Sequence, residues 1–174
     1  NPATGEYLGN LAYGFVQSAF NVAVERPAKV QGKVELQDYV GDYTKYGVTI
    51  EVLDNANVVL DSATVALDAS GNYSFSTYLR GNYKIAAKSK HWLRSMTGTV
   101  VIDKAGLAQD FSLINGDVDD DNSVTVFDYA ALSDAFDTVP GNPAWNEDAD
   151  LDGDEAVTVF DYAILSNNFD LSGD

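Results

Sequence analysis

The 174-residue chain has no cysteine and contains one methionine, one histidine and four prolines. Without cysteine, disulfide bonds and thiol chemistry are excluded. No apolar run approaches the roughly 20 residues that a membrane-spanning helix needs. No basic and then apolar segment opens the chain, so we expect any export signal to have been removed already. Nucleophile-elbow, P-loop and glycine-rich dinucleotide motifs are also missing, so the sequence gives no support for catalysis.

Basic charge is absent from the second part of the sequence. Residues 115–174 hold 16 acidic residues and no Lys, Arg or His, whereas residues 1–114 hold 11 acidic and 10 basic residues. A compact unit with that charge repels itself, so we expect cations to relieve the repulsion. The same charge repels phosphate, which argues against a nucleic-acid partner. Because 45% of all residues are hydrophobic, the chain is expected to fold.

The acidic residues belong to an internal repeat. The segment "DVDDDNSVTVFDYAALSDAFD" (117–137) aligns without a gap with "DLDGDEAVTVFDYAILSNNFD" (150–170), and 14 of the 21 positions are identical. Each copy reads as an acidic loop followed by a short amphipathic helix. The connecting segment 138–149 carries two prolines and a glycine, which favours a loop.

Within each copy, carboxylates fall at loop positions 1, 3, 5 and 12, the spacing with which an EF-hand loop wraps oxygen ligands around Ca²⁺. No Cys or His lies nearby, which disfavours Zn²⁺. The alternative is a solvated acidic face, but the same spacing occurs twice. The expected ligands are Asp117, Asp119, Asp121 and Asp128 in the first loop and Asp150, Asp152, Asp154 and Asp161 in the second, with the backbone carbonyls of Ser123 and Ala156 at position 7 and water-mediated contacts from Thr125 and Thr158 at position 9. Val124 and Val157 occupy the matching positions at which paired loops bridge.

Position 6 of each loop should adopt the left-handed conformation that favours glycine. The first loop has Asn122 there, which tolerates that conformation, and the second has Glu155, which does not do so readily. We therefore expect the second site to be strained or weaker.

Two features differ from the EF-hand: the twelfth residue is Asp, and only one helix follows each loop. In both respects residues 115–172 resemble the duplicated half EF-hands of type I dockerins. The resemblance implies two Ca²⁺ ions, a pseudo-twofold pair of loop–helix units and an extracellular setting. It also implies a cohesin partner, recognised just before and at the start of each helix.

The positions that correspond to this recognition pair are Val126–Phe127 and Val159–Phe160. Helix positions that often carry Lys or Arg in dockerins hold neither in this chain. This difference argues against recognition of a familiar type of cohesin. We therefore expect the apolar pairs to be buried, either against the chain's own β-sandwich or against another subunit.

Residues 11–114 read as β structure. Short apolar runs with turn signals between them indicate an antiparallel sandwich, immunoglobulin-like or transthyretin-like, ahead of the small α-helical module. The runs are 11–25, 29–37, 47–54, 57–67, 72–78, 82–88, 98–103 and 107–114. The string "LDASGNYSFSTYLRGNYKIAAK" resembles the hairpin of carboxypeptidase-regulatory-like, transthyretin-type sandwiches. The lone His91, in "KHWLR", is expected at a strand edge or loop, with Trp92 and Leu93 packing inward.

These observations predict a strand extension (1–27), a β-sandwich (28–114) and a dockerin-like calcium module (115–174). The expected protein is non-catalytic, exported and structural. In one version it is a self-assembling extracellular or surface-layer-type subunit, held by strand addition and calcium. In the other it is the docking part of a larger secreted protein that binds a cohesin-like receptor. A third possibility is polysaccharide binding by aromatic residues on the face of the sandwich.

The predicted strand 11–25 separates these versions, because an unpaired apolar strand needs a partner sheet. If the strand is donated to a neighbour, deletion of residues 1–26 should leave a folded monomer that binds the missing strand as a peptide. If the strand belongs to its own sandwich, the truncated chain should unfold. Circular dichroism and analytical ultracentrifugation of the truncated chain distinguish the two outcomes.

Overall fold

The computed structural model describes residues 26–174, so the predicted strand 11–25 lies outside the described part. Nine strands and two α-helices are present in the described part. They are β1 (Ala28–Leu36), β2 (Gly47–Leu53), β3 (Val59–Ala66), β4 (Asn72–Thr77), β5 (Gly81–Ser89), β6 (Trp92–Met96), β7 (Val100–Ile102), β8 (Leu107–Ala108), β9 (Phe111–Leu113), α1 (Val126–Asp134) and α2 (Val159–Asn167). Across residues 26–174, no helix is both long and apolar enough to cross a membrane.

The strands form two sheets. In the first sheet β1 pairs with β4 on one side and with β8 and β9 on the other; in the second sheet the order is β3-β2-β5-β6, and β7 also pairs with β5. Most pairs are antiparallel, as expected, but β8 and β9 run parallel to β1. The expectation of a wholly antiparallel arrangement is therefore wrong for the last two strands.

The predicted run 107–114 is split into β8 and β9 at Gln109–Asp110. There the Asp110 carboxylate accepts the N–H of Lys33 at 2.7 Å, in place of a backbone carbonyl. The opposing residue is Gly32, and a Cβ on it would lie 1.9 Å from the Gln109 carbonyl oxygen. The interruption therefore needs a glycine on β1 for the backbones to approach this closely.

Alternating residues of both sheets form one core, as the period-2 pattern predicts. Val30 and Phe75 from the first sheet meet Ile50 and Ile85 from the second, and all four are buried. The core extends into an aromatic cluster of Tyr39, Tyr46 and Trp92, whose rings meet edge to face at centroid distances of 5.0–5.5 Å. These tyrosines therefore serve packing and do not form an exposed sugar-binding face.

Strand β6, which was not predicted from the sequence, contributes to two separate cores. Trp92 packs into the core between the sheets, whereas the next residue, Leu93, packs into a second cluster that includes Val118, Val124 and Leu165 from residues 115–174. Because successive side chains of a strand point to opposite faces, one short strand supports both cores.

His91 lies in the β5–β6 turn, where a strand edge or loop was predicted, and its side chain is buried. Its Nδ1 lies 2.9 Å from Oδ1 of Asn115. Burial lowers the pKa of His91 to about 3, so the imidazole is neutral. Because the amide oxygen of Asn115 can only accept, Nδ1 donates this hydrogen bond. His91 thus joins the β strands to the start of the acidic segment.

Replacing Leu93 by Ala should lower the free energy of unfolding by about 3 kcal/mol, because it removes a buried side chain and leaves a cavity in the second core. Guanidinium denaturation measures the loss. Val101→Ala on β7 is the control, since Val101 is 58% exposed and should cost little. Equal losses for both variants would show that the second core does not depend on β6.

Candidate metal and docking site

The two acidic loops are anchored at the start of their helices. Thr125 caps α1, and its N–H donates at 2.6 Å to the carboxylate of Asp128, the third residue of the helix. Thr158 and Asp161 repeat this arrangement at the start of α2, with a distance of 2.7 Å. These are capping boxes with Asp in the third position. The position-12 carboxylates are therefore fixed by the helix starts themselves.

In the first loop the structure brings together three of the four predicted carboxylates. Oxygens of Asp117, Asp119 and Asp128 lie within 4.8 Å of one another. Asp117 and Asp128 are fully buried, and burial raises the pKa of Asp117. Asp121 is outside this group, and its Oδ1 accepts the N–H of Ser123 at 2.9 Å.

In the second loop the group consists of Asp150, Asp152 and Asp154, whose oxygens also lie within 4.8 Å of one another. Asp161 is outside the group, and its oxygens accept the N–H groups of Leu151 at 2.6 Å and Thr158 at 2.7 Å. Burial and the neighbouring carboxylates of Asp161 and Asp152 raise the pKa of Asp150 to about 6.

This donor set fits a hard divalent cation. Both groups offer only carboxylate oxygens, the ligands that Ca²⁺ prefers. The raised pKa values of Asp117, Asp150 and Asp152 show that their charges are held in an unfavourable, partly buried environment. A bound cation would offset that cost.

The backbone of the two loops is closely similar. Asn122 and Glu155, at position 6, both have φ of 69°, so the left-handed conformation predicted there is present in both loops. Position 4 is also left-handed, with φ of 61° at Asp120 and 76° at Gly153. Glu155 thus occupies a conformation that costs a side chain with a Cβ about 1 kcal/mol or more.

The expected bridge between Val124 and Val157 is not formed, and this prediction is wrong. The N–H of Val124 donates to the carbonyl of Leu171 at 2.8 Å, and that of Val157 donates to Thr138 at 3.0 Å. Leu171 follows α2 and Thr138 follows α1, so each loop pairs with the segment after the other copy's helix. The repeats are interlocked reciprocally.

The prediction that the apolar pairs are buried against the chain's own β strands is also wrong. Val126, Phe127, Val159 and Phe160 are 61–67% exposed. Leu132 of α1, Leu165 of α2 and Ala135, just after α1, pack into the second core instead. The first turn of each helix therefore faces outward. A contact with another chain remains open to these residues.

Further aromatic residues continue this exposed surface. Tyr129 and Tyr162 meet edge to face at 4.7 Å, and Phe136 lies 5.9 Å from Tyr162. An open groove is lined by Ser133, Phe136, Val159 and Tyr162. Sequence reasoning missed the tyrosines, although they occupy equivalent positions in the two repeats. We call Val126, Phe127, Tyr129, Phe136, Val159, Phe160 and Tyr162 the helix-start surface.

Both loops contact the β region, the first at strand β5 and the second at the connection between β1 and β2, which the sequence did not predict. In the second loop the N–H of Val40 donates to the Asp152 carbonyl at 2.9 Å, and the Tyr39 ring packs against Gly153. A Cβ on Gly153 would lie 2.1 Å from that ring. In the first loop Lys88 of β5 approaches Asp117, with 3.1 Å between Nζ and Oδ2.

Replacing Glu155 by Gly should tighten calcium binding at the second loop by up to roughly 1 kcal/mol, because glycine removes the left-handed penalty that opposes ordering of the loop around the ion. The ion pair that Glu155 loses with Lys45 is exposed and contributes little. Titration calorimetry measures the change, and Asn122→Gly in the first loop is the matched control with a smaller expected gain. Weaker binding by Glu155→Gly would mean that this side chain has another role.

Comparisons with known proteins agree with this geometry. Residues 115–170 match the family model described as the Dockerin type I domain. The fold is similar to chains in two mutants of the type II cohesin–X–dockerin complex from Acetivibrio cellulolyticus. The N-terminal interface mutant has a TM-score of 0.68 at 19% identity, and the C-terminal interface mutant has 0.67 at 17%. Each match covers 84% of this chain and 97% of the other chain.

No curated protein matches the sequence. At these identities the structural likeness establishes a shared fold, and it extends across the β strands as well as the acidic segment. Together the family match and the interlocked loop–helix repeats support a dockerin module in the last third of the chain.

Proposed function

We propose that this chain is the docking part of an exported protein and binds a cohesin-like receptor through the helix-start surface. The observation that carries the proposal is the exposure of two equivalent apolar pairs, Val126–Phe127 and Val159–Phe160, on a module that matches type I dockerins. Exposed aromatic clusters of this kind are typical of the centres of protein–protein interfaces. The related complexes from Acetivibrio cellulolyticus, described as cohesin–X–dockerin, support the same type of partner.

The charge of the module indicates what surrounds the contact on the partner. Residues 115–174 offer no basic side chain, and Asp134 and Asp137 are exposed on and just after α1. A complementary surface would combine an apolar centre with a basic rim, because like charges across an interface are costly.

Calcium would hold the two loops that position the helices. The proposed ligands are Asp117, Asp119, Asp121, Ser123, Thr125 and Asp128 for one ion, and Asp150, Asp152, Asp154, Ala156, Thr158 and Asp161 for the other. Bound Ca²⁺ supplies positive charge that neutralises the converging carboxylates. Since Asp128 and Asp161 also cap the helices, loop order and helix orientation are linked through the same side chains.

The proposal also includes the division of the chain. We propose that residues 28–114 form a β module and residues 115–174 form the docking module; the first has its own core cluster, and the second core also includes Leu93 of β6. Self-association through the strand 11–25 stays a prediction, since that strand lies outside the described residues. Carbohydrate binding is not proposed, because five of the six tyrosines of residues 28–114 belong to the core or pack against it, and only Tyr78 is exposed.

The calcium role predicts a large stabilisation by the metal. In excess Ca²⁺ the melting temperature should rise, because an ion that binds only the folded state stabilises it by about 2.7 kcal/mol at 100 times its dissociation constant. Differential scanning calorimetry with calcium and then with chelator measures the shift. The double variant Asp119→Asn and Asp152→Asn should lose most of it. An unchanged melt of the parent chain in chelator would refute the calcium role.

The docking role predicts that Phe127→Asp combined with Phe160→Asp abolishes receptor binding and leaves folding intact, because both side chains are exposed in the free chain. The measurement is surface plasmon resonance against immobilised type I and type II cohesins, with an expected loss of about 100-fold or more. Val101→Asp, at an exposed site on β7, is the control that should bind normally. If the parent chain binds no cohesin, or the double variant binds as well as the parent, the docking proposal fails.

A further inference from the structure

One lysine of the β strands contacts a predicted metal ligand directly. The Nζ of Lys88, on β5, lies 3.1 Å from Oδ2 of Asp117, at position 1 of the first loop. The same ammonium group also contacts the carboxylate of Asp120 and the backbone carbonyl of Lys90. The Asp117 side chain is fully buried and that of Lys88 is 21% exposed, so solvent screens this contact less than a surface ion pair.

The backbone fixes both the strand that carries this ammonium group and the loop that it contacts. Strand β5 lies inside its sheet, between β2 and β6. The carbonyl of His91, three residues after Lys88, accepts the N–H groups of Gly116 and Asp117, both at 3.0 Å. The first loop is therefore held against the strand that carries Lys88.

The second loop is built differently at the equivalent place. Position 4 is Asp120 in the first loop, where it contacts Lys88, but Gly153 in the second, where it packs against the ring of Tyr39. The nearest ion pairs are those of Lys45 with Glu155 and of Lys90 with Glu147 and Asp148. Among the ion pairs of residues 26–174, only the one between Lys88 and Asp117 includes a predicted calcium ligand.

We infer that Lys88 makes the two calcium loops unequal, because it lowers the affinity of the first loop and no lysine of residues 26–174 contacts a predicted ligand of the second. This inference rests on the proposed calcium binding. The attraction between Lys88 and Asp117 is present whether or not an ion is bound, so it largely cancels from the binding equilibrium. The repulsion between the ammonium group and Ca²⁺ exists only in the bound state, and it is doubled by the ion's charge. The β strands thus set the affinity of a loop in the docking module.

Lys88→Gln tests this inference, because it removes the charge and keeps a hydrogen-bond donor on a side chain one bond shorter. We expect it to tighten calcium binding at the first loop about tenfold at physiological ionic strength. Two controls accompany it. Lys88→Arg keeps the charge and should retain the parent affinity. Lys45→Gln removes an equal charge beside Glu155, which is not a proposed ligand, and should change either loop by less than about twofold.

Titration calorimetry of the full chain with CaCl₂ gives both affinities. Asp152→Asn with Asp154→Asn disables the second loop, so that repeating Lys88→Gln in this background assigns the effect to the first. As an independent readout, the calcium-induced rise in melting temperature should be larger for Lys88→Gln than for Lys88→Arg, and this comparison still holds if Lys88→Gln is less stable without calcium.

If the parent chain binds two ions and Lys88→Gln leaves the first loop unchanged or weakens it, Lys88 does not oppose binding, and the inference is overturned while the calcium role stands. A parallel change in Lys45→Gln would assign the effect to general surface charge and overturn it equally. Absence of calcium uptake by the parent chain would instead refute the proposed function on which the inference rests.

Discussion

Repulsion among carboxylates is the constraint on which this structure depends. Residues 115–174 carry 16 acidic side chains and no basic one, and several of those carboxylates, including Asp117, Asp128 and Asp161, are fully buried. Buried like charges cannot be left unbalanced. Positive charge must therefore come from outside the segment, and the β region supplies part of it. Lys45, Lys88, Lys90 and Arg94 all contact residues of the acidic segment, and Lys88 reaches the buried Asp117.

This charge balance determines which surfaces remain free. The β region contacts the two loops through Lys88 on β5 and through Tyr39 and Val40 between β1 and β2, and strand β6 contributes Leu93 to the second core. The first turns of α1 and α2 stay exposed with their apolar pairs. The proposed metal ligands, the helix caps and the proposed docking residues thus follow one another within about a dozen positions of each repeat. Order in the loop would therefore fix the surface that a partner meets.

The repeat itself is nearly symmetric, and its surroundings are not. Matching residues cap the helices and matching residues face solvent, but position 4 is Asp120 in one loop and Gly153 in the other. Only the first of these contacts a lysine, while the second allows a tyrosine ring to approach the backbone. A single β surface cannot present the same side chains to two loops at once, and this is why a duplicated sequence acquires two different environments.

The sequence alone determined the features that depend on local spacing. These are the duplicated loops with Asp117 and Asp150 at their starts, the left-handed residues Asn122 and Glu155, and most strands of the β region, because turn chemistry and hydrophobic periodicity act within a few residues. Only the tertiary structure decided the parallel pairing of β8 and β9, the exposure of Phe127 and Phe160, and the approach of Lys88 to Asp117. Each of these depends on which distant segment occupies the neighbouring space, and that is set by packing and charge across the whole fold.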